Sequence, residues 1–120
     1  MPAHVESAES AKRIRMTRIN ISDVDGHQTG QWFDMDSATE YREDQWHDGS
    51  NLISSVTASQ WHHEDLSRTA GGRWVLNAWS NYEHVPATYR LIGDKTAHKW
   101  LKTNGHWDSV PDDVLEGAEV

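Results

Sequence analysis

Apolar and polar positions alternate with a period of two through Arg73–Trp79: Trp74, Leu76 and Ala78 fall on one side, Val75, Asn77 and Trp79 on the other. That period predicts a strand. The run before it, Trp61 to Thr69, holds one aliphatic residue, Leu66, and Ala70-Gly71-Gly72 lies between the two. A two-residue loop would set Leu66 against Asn77, whereas a three-residue loop sets Leu66 against Leu76 and Arg68 against Trp74. One residue of slip exchanges the faces, so the pattern selects the longer loop, ending on Gly72 in the left-handed conformation. The expected core face carries Leu66, Trp74, Leu76 and Ala78, with the Arg68 stem lying over Trp74. The opposite face, with His63, Asp65, Asn77 and Trp79, is expected to be wetter.

Other elements follow from similar arguments. Ala87–Ile92, entered through Pro86, predicts a further strand with Tyr89 and Leu91 inward. Gly93-Asp94 opens a helix with Asp94 as N-cap, and Ala97, Trp100 and Leu101 form its apolar stripe. Asn104-Gly105 ends it, with Lys99 and Lys102 in the last turns. Near the start, Thr17, Ile19 and Ile21 alternate with Met16, Arg18 and Asn20, a first strand. Asp23-Val24-Asp25-Gly26 reads as a turn, since the acidic spacing and closing glutamate of a calcium loop are missing. Gln31–Asp34 begins a return strand or extended link. Ser37-Ala38-Thr39-Glu40 matches a capping box and predicts a short helix over 36–44, with Glu40, Glu43 and Asp44 crowding its outer side. Trp46–Asn51 is a polar turn, and Leu52–Thr57 another strand with Val56 and either Leu52 or Ile53 buried.

These elements give an α+β class: a mainly antiparallel, twisted sheet of four or five strands with two short helices packed on one face. A single domain is expected over 14–107, between a flexible arm at 1–13 and a flexible acidic tail at 108–120.

Charge sharpens this picture. The formal net charge is −8, and residues 34–48 and 108–120 each carry −5, whereas residues 90–102 carry +3. An acidic chain lacks the phosphate-neutralising surface of a non-specific nucleic-acid binder, which argues against direct nucleic-acid contact. Acidic blocks suit either a basic protein partner or plain solubility. The chain has no cysteine, which excludes disulfides and thiolate metal sites. No apolar run or leader segment suggests a membrane, so a cytoplasmic protein is expected.

Trp32-Phe33-Asp34, Trp46, Gly49, Asn51, Ser54 and Thr57 share an ordered spacing with Ser59-Gln60-Trp61, His63-Glu64, Leu66 and Arg68-Thr69. Gly72 to Leu76, Trp79-Ser80, Tyr89, Ile92, Ala97 and Trp100-Leu101 continue it. Over about residues 30–104 this pattern resembles a family of small bacterial proteins of unknown function found on mobile elements or phages. Ser67 and Asn81-Tyr82 depart from it. The resemblance implies a defined small domain and brings no catalytic residues; its setting favours an inhibitor, an antitoxin or a defence-countering protein.

His62-His63-Glu64-Asp65 is the most chemically suggestive run. On a strand, His62 and Glu64 face one way and His63 and Asp65 the other, so each face offers at most two metal ligands where zinc needs three or four. Hydrogen-bonded His63–Asp65 or His62–Glu64 pairs are expected instead, with no metal and no cofactor. Trp74 and Trp100 read as core, whereas Trp61 and Trp79 have the polar neighbours of an interface anchor. The leading expectation is a non-enzymatic regulator or inhibitor that binds a protein partner, probed at Asp36, Glu40, Glu43, Asp44, Trp61, His63, Asp65, Asn77 and Trp79. The alternative is a small enzyme with a His/Asp acid–base site on the hairpin, metal-assisted or not. An exposed Trp79 would equally serve a homodimer.

Overall fold

The computed structural model describes residues 16–112 of the chain. Along these residues eight strands come in succession and one α-helix follows them: β1 (Arg18–Ser22), β2 (Gln28–Asp34), β3 (Thr39–Tyr41), β4 (Gln45–His47), β5 (Leu52–Ser54), β6 (His62–Arg68), β7 (Trp74–Ser80), β8 (Thr88–Ile92) and α1 (Asp94–Thr103). β3, β6, β7 and β8 form a four-stranded antiparallel sheet in that spatial order, while β1–β2 and β4–β5 are separate two-stranded ribbons. The α+β class and the four-stranded sheet match the sequence reading. The strand inventory is larger, and the described residues hold one α-helix rather than two.

The central hairpin has the register that the hydrophobic pattern selected. Leu66 faces Leu76, Arg68 faces Trp74, and His63 faces Trp79. Gly72 sits at φ +83°, a conformation that costs a side-chain-bearing residue energy and costs glycine little. One hairpin face buries Leu66, Trp74 and Leu76 against Ala97, Trp100 and Leu101 of α1, with Val110 closing the cluster. The Arg68 guanidinium lies 5.1 Å from the Trp74 ring centroid, as its place in the register requires. α1 begins at Asp94 with Gly93 as its N-cap, so Asp94 is the first helical residue rather than the cap. Its carboxylate still favours the positive helix end. Asn104 and Gly105, at φ +79°, end the helix as expected. The chain stays packed as far as Val110. The arm at 1–13 and the tail from 113 lie outside the described residues.

Two expectations are overturned, for one reason each. The helix over 36–44 does not form. Asp34 takes the capping role instead: its carboxylate accepts from the Thr17 and Asp36 amides and from the Ser37 hydroxyl, closing a 3₁₀ turn over Met35–Ser37. Ala38 is then extended, and Thr39–Tyr41 adds to the free edge of β6, with Glu40 opposite Ser67. A helix that short offered only Ala38 and Tyr41 to the core, too little to offset nucleation, and the sheet edge won. Asp36, Glu40, Glu43 and Asp44 therefore share no helical face.

The second hairpin face is also not wet. At its turn end, Val75 packs with Ile21 and Phe33 of the β1–β2 ribbon, joined by Tyr89 and Leu91 from β8. Tyr89 and Leu91 thus point inward into this second core, not toward α1. β1 runs beside β8, where the Ser22 hydroxyl donates to the Tyr89 carbonyl at 3.3 Å. At the open end of the hairpin, the same face is covered by polar chain.

Candidate functional site

That polar cover is the link from β3 to β4, which has no ladder of its own and is tied down by side chains from elsewhere. His106 Nε2 bonds the Arg42 carbonyl at 2.7 Å, Asp65 Oδ1 accepts from the Glu43 amide at 3.0 Å, and Asn104 Oδ1 accepts from the Asp44 amide at 2.8 Å. These contacts press the Glu43 side chain into the protein beside β6. There its two oxygens take four donors: the Glu64 amide at 2.7 Å, Ser54 Oγ at 2.8 Å, Gln45 Nε2 at 2.8 Å and His63 Nδ1. Burial alone would push the Glu43 carboxyl upward. The Glu64 amide, Gln45, His63 and Ser54 outweigh it and hold the group below the usual carboxylate range.

His63 is 3% exposed and sits in the middle of the cluster. Nδ1 meets Glu43, and Nε2 faces the Gln60 carbonyl at 2.9 Å with Asn81 Nδ2 at 3.2 Å. Its ring stacks on Trp79, with centroids 4.3 Å apart and planes 20° from parallel. Trp79 in turn donates its indole N–H to Asp65 Oδ2 at 2.9 Å. The expected His63–Asp65 and His62–Glu64 pairs are replaced: His63 bonds Glu43, Asp65 bonds Trp79, and Glu64 accepts from the Trp100 indole at 3.3 Å. Burial raises the Glu64 carboxyl above its ordinary range, against the Trp100 bond and the Arg90 charge, with the Glu43 charge adding to the rise.

Beside this cluster the β4–β5 ribbon and the open end of the hairpin enclose a groove of about 620 Å³. Trp61, Trp79 and Leu52 give it apolar walls, and Gln45, Gln60, Asn51 and Asn81 give it amides. His47 also lines it, and Nδ1 of that ring accepts from the Gly49 amide at 3.1 Å, which places the proton of the neutral ring on Nε2. Trp61 is 42% exposed and stacks on Tyr82 with centroids 4.9 Å apart.

The expected site residues therefore divide. Glu43, His63, Asp65 and Trp79 converge in one hydrogen-bonded cluster, and Trp61 joins His63 and Trp79 along the groove. Asn77 lies opposite Asp65, half-buried, with its Oδ1 shut from solvent and unbonded among the described residues. Asp36 is exposed and bonded by Thr17, Glu40 pairs with Arg42 at 3.1 Å, and Asp44 is exposed and accepts from Ser55. Gln45, His47, Asn51 and Asn81 were not singled out by sequence reasoning. The one hint was the density of Gln, Asn and Ser around Trp46–Asn51 and Ser59-Gln60-Trp61.

For metal, the described residues bring ligand atoms of Asp23, Asp25 and His27 within 4.8 Å of one another, all three exposed. Asp23 Oδ1 already accepts from the Asp25 and His27 amides, each at 2.9 Å, which makes this a side-chain-stabilised turn. The His62–Asp65 run forms no such trio among the described residues.

No protein-family model, no curated protein and no solved structure matches the chain.

Proposed function

We propose that this protein works by holding a protein partner at the groove between the β4–β5 ribbon and the open end of the central hairpin, without catalysing a reaction. One observation carries the reading. The groups that suggested acid–base chemistry are already committed to the protein itself: Glu43 to four donors, His63 at both ring nitrogens, Asp65 to Trp79 and the Glu43 amide. A general base needs a lone pair within reach of substrate; those of Glu43 and His63 are taken, and Asp65 is buried beneath the Glu43 amide and Trp79. What the groove offers instead is aromatic surface and amides, the makeup of an interface anchor.

Such a groove suits a regulator or inhibitor, a role that needs affinity and no turnover. No helix of the described residues is long and apolar enough to cross a membrane. The test is affinity capture from the producing cell with the wild-type chain and with Trp61→Ala. The expected result is a protein retained by the first and lost by the second. Identical captures from both would remove the groove from consideration. An activity abolished by His63→Asn in a folded variant would favour the enzyme instead.

A further inference from the structure

Resting on that binding reading, we propose that the groove receives an arginine- or lysine-bearing segment of a basic protein partner, its cation lying against the Trp61–Tyr82 stack. Charge carries the argument. The two segments that build the groove, residues 43–67 and 74–89, contain Glu43, Asp44, Asp48, Glu64, Asp65 and Glu83 and no lysine or arginine. Of these, Glu43 and Asp65 are buried in the hydrogen-bonded cluster and Glu64 turns toward α1, so the charge of this end is set by Asp44, Asp48 and Glu83, which are exposed and adjoin groove or stack residues in sequence. At the opposite, turn end of the hairpin stand Arg68 and Arg73. A cationic segment is thus drawn to one end of the molecule and repelled from the other.

The chain shows the same contact elsewhere. Arg68 lies 5.1 Å from the Trp74 ring centroid and Arg18 lies 5.2 Å from that of Trp32. The groove segments supply no such cation for Trp61, whose stacking partner is Tyr82 and which stays exposed. A partner's guanidinium or ammonium fills that role, and the side-chain oxygens of Gln45, Gln60, Asn51 and Asn81 accept its N–H groups. At about 620 Å³ the groove has room for a side chain and the backbone beside it. An anionic ligand would find no lysine or arginine lining the groove and would approach past the exposed Asp44, Asp48 and Glu83.

The test is calorimetric titration of the full chain with a short alternating arginine–alanine peptide, its glutamate–alanine counterpart, maltohexaose and a single-stranded oligothymidylate. Wild type is compared with Trp61→Ala, Tyr82→Ala and Trp32→Ala, all of the same net charge. The expected result is binding of the arginine peptide alone, weakened about tenfold by Trp61→Ala and by Tyr82→Ala and unchanged by Trp32→Ala. Equal affinity in all four proteins would mean diffuse attraction to net charge and would overturn the proposal. If maltohexaose or the oligonucleotide binds in a Trp61-dependent way and the peptide does not, the ligand class is wrong and the binding groove stands. If no probe depends on Trp61 or Tyr82, the groove reading falls with it.

Discussion

The two faces of the central hairpin are built from the same fourteen strand residues and are closed by different means. Toward α1, Leu66, Trp74 and Leu76 meet Ala97, Trp100 and Leu101 in a dry cluster held chiefly by burial, with the Trp100–Glu64 bond and the Arg68 guanidinium at its rim. On the other side, Val75 is covered by the β1–β2 ribbon, but His63 and Asp65 are covered by a carboxylate. Removing water from Glu43 and His63 is expensive, and the structure compensates by giving each a full set of partners. The first face should accept apolar fillings of similar volume at small cost. The second is a set of mutual obligations, in which each group is satisfied only while the others are present.

The sharpest way to break that contrast is Glu43→Ala. It strands Ser54 Oγ, Gln45 Nε2, the Glu64 amide and His63 Nδ1 at once. Stability should fall by about 3–5 kcal/mol, since each buried donor left without its acceptor costs about 1–3 kcal/mol. Leu66→Ala on the dry face should cost about 2–5 kcal/mol through its cavity. Similar sizes conceal different origins, and pH separates them. The Glu43 carboxyl is held below its unfolded value of about 4.3, so its stabilisation is present above that pH and is lost as pH falls through the folded value. Chemical denaturation from pH 7 to 3 should show this acid loss in wild type and in Leu66→Ala. Glu43→Ala should show a smaller loss, keeping only what Asp34 and Asp48, likewise held low by their amide donors, still contribute.

The same contrast explains what was legible beforehand. The dry face could be read because its residues announce themselves by period: two along β6 and β7, three to four along α1. Leu66 against Leu76, Gly72 at the loop end and the Ala97–Trp100–Leu101 stripe all followed from counting. The polar face obeys no period. Glu43 reaches its place because Asp65, Asn104 and His106 bind the backbone of residues 42–44, across separations of 22, 60 and 64 residues. Nothing in the local spacing of Glu40, Glu43 and Asp44 distinguishes a buried carboxylate from a solvated helix face, and the capping-box pattern favoured the helix. In the sequence, the cluster that covers the hairpin therefore reads as an acidic exterior. The small β4–β5 ribbon was half-seen, because its turn residues Asp48–Asn51 were plain while the three-residue strand before them was too short to show an alternation.

A smaller effect sharpens the boundary between the faces. Glu64 sits on the α1 side of β6 yet accepts from Trp100, and burial raises its carboxyl above the unfolded value. The sign is opposite to that of Glu43: the folded state prefers the neutral acid, so stability drains as pH rises from the unfolded value through the raised one. Glu64→Gln keeps an oxygen for the Trp100 indole and removes the charge. It should stabilise the protein modestly at pH 7 and change little at pH 3.

Trp61→Ala should have the smallest effect on folding and thereby separates architecture from use. Its ring is 42% exposed, belongs to neither apolar core, and meets Tyr82 rather than the Glu43 cluster. Thermal or chemical unfolding should therefore shift by no more than about 0.5 kcal/mol, the range of surface changes away from buried features. The pH profile should keep the acid limb that Glu43 supplies, because none of its four donors comes from Trp61. A loss as large as that of Leu66→Ala would mean that the Trp61–Tyr82 stack is structural cladding for the polar face, and an anchor for a partner would have to be sought elsewhere. An unchanged fold with lost binding would mean that a costly polar interior serves to hold two aromatic rings in place at the surface.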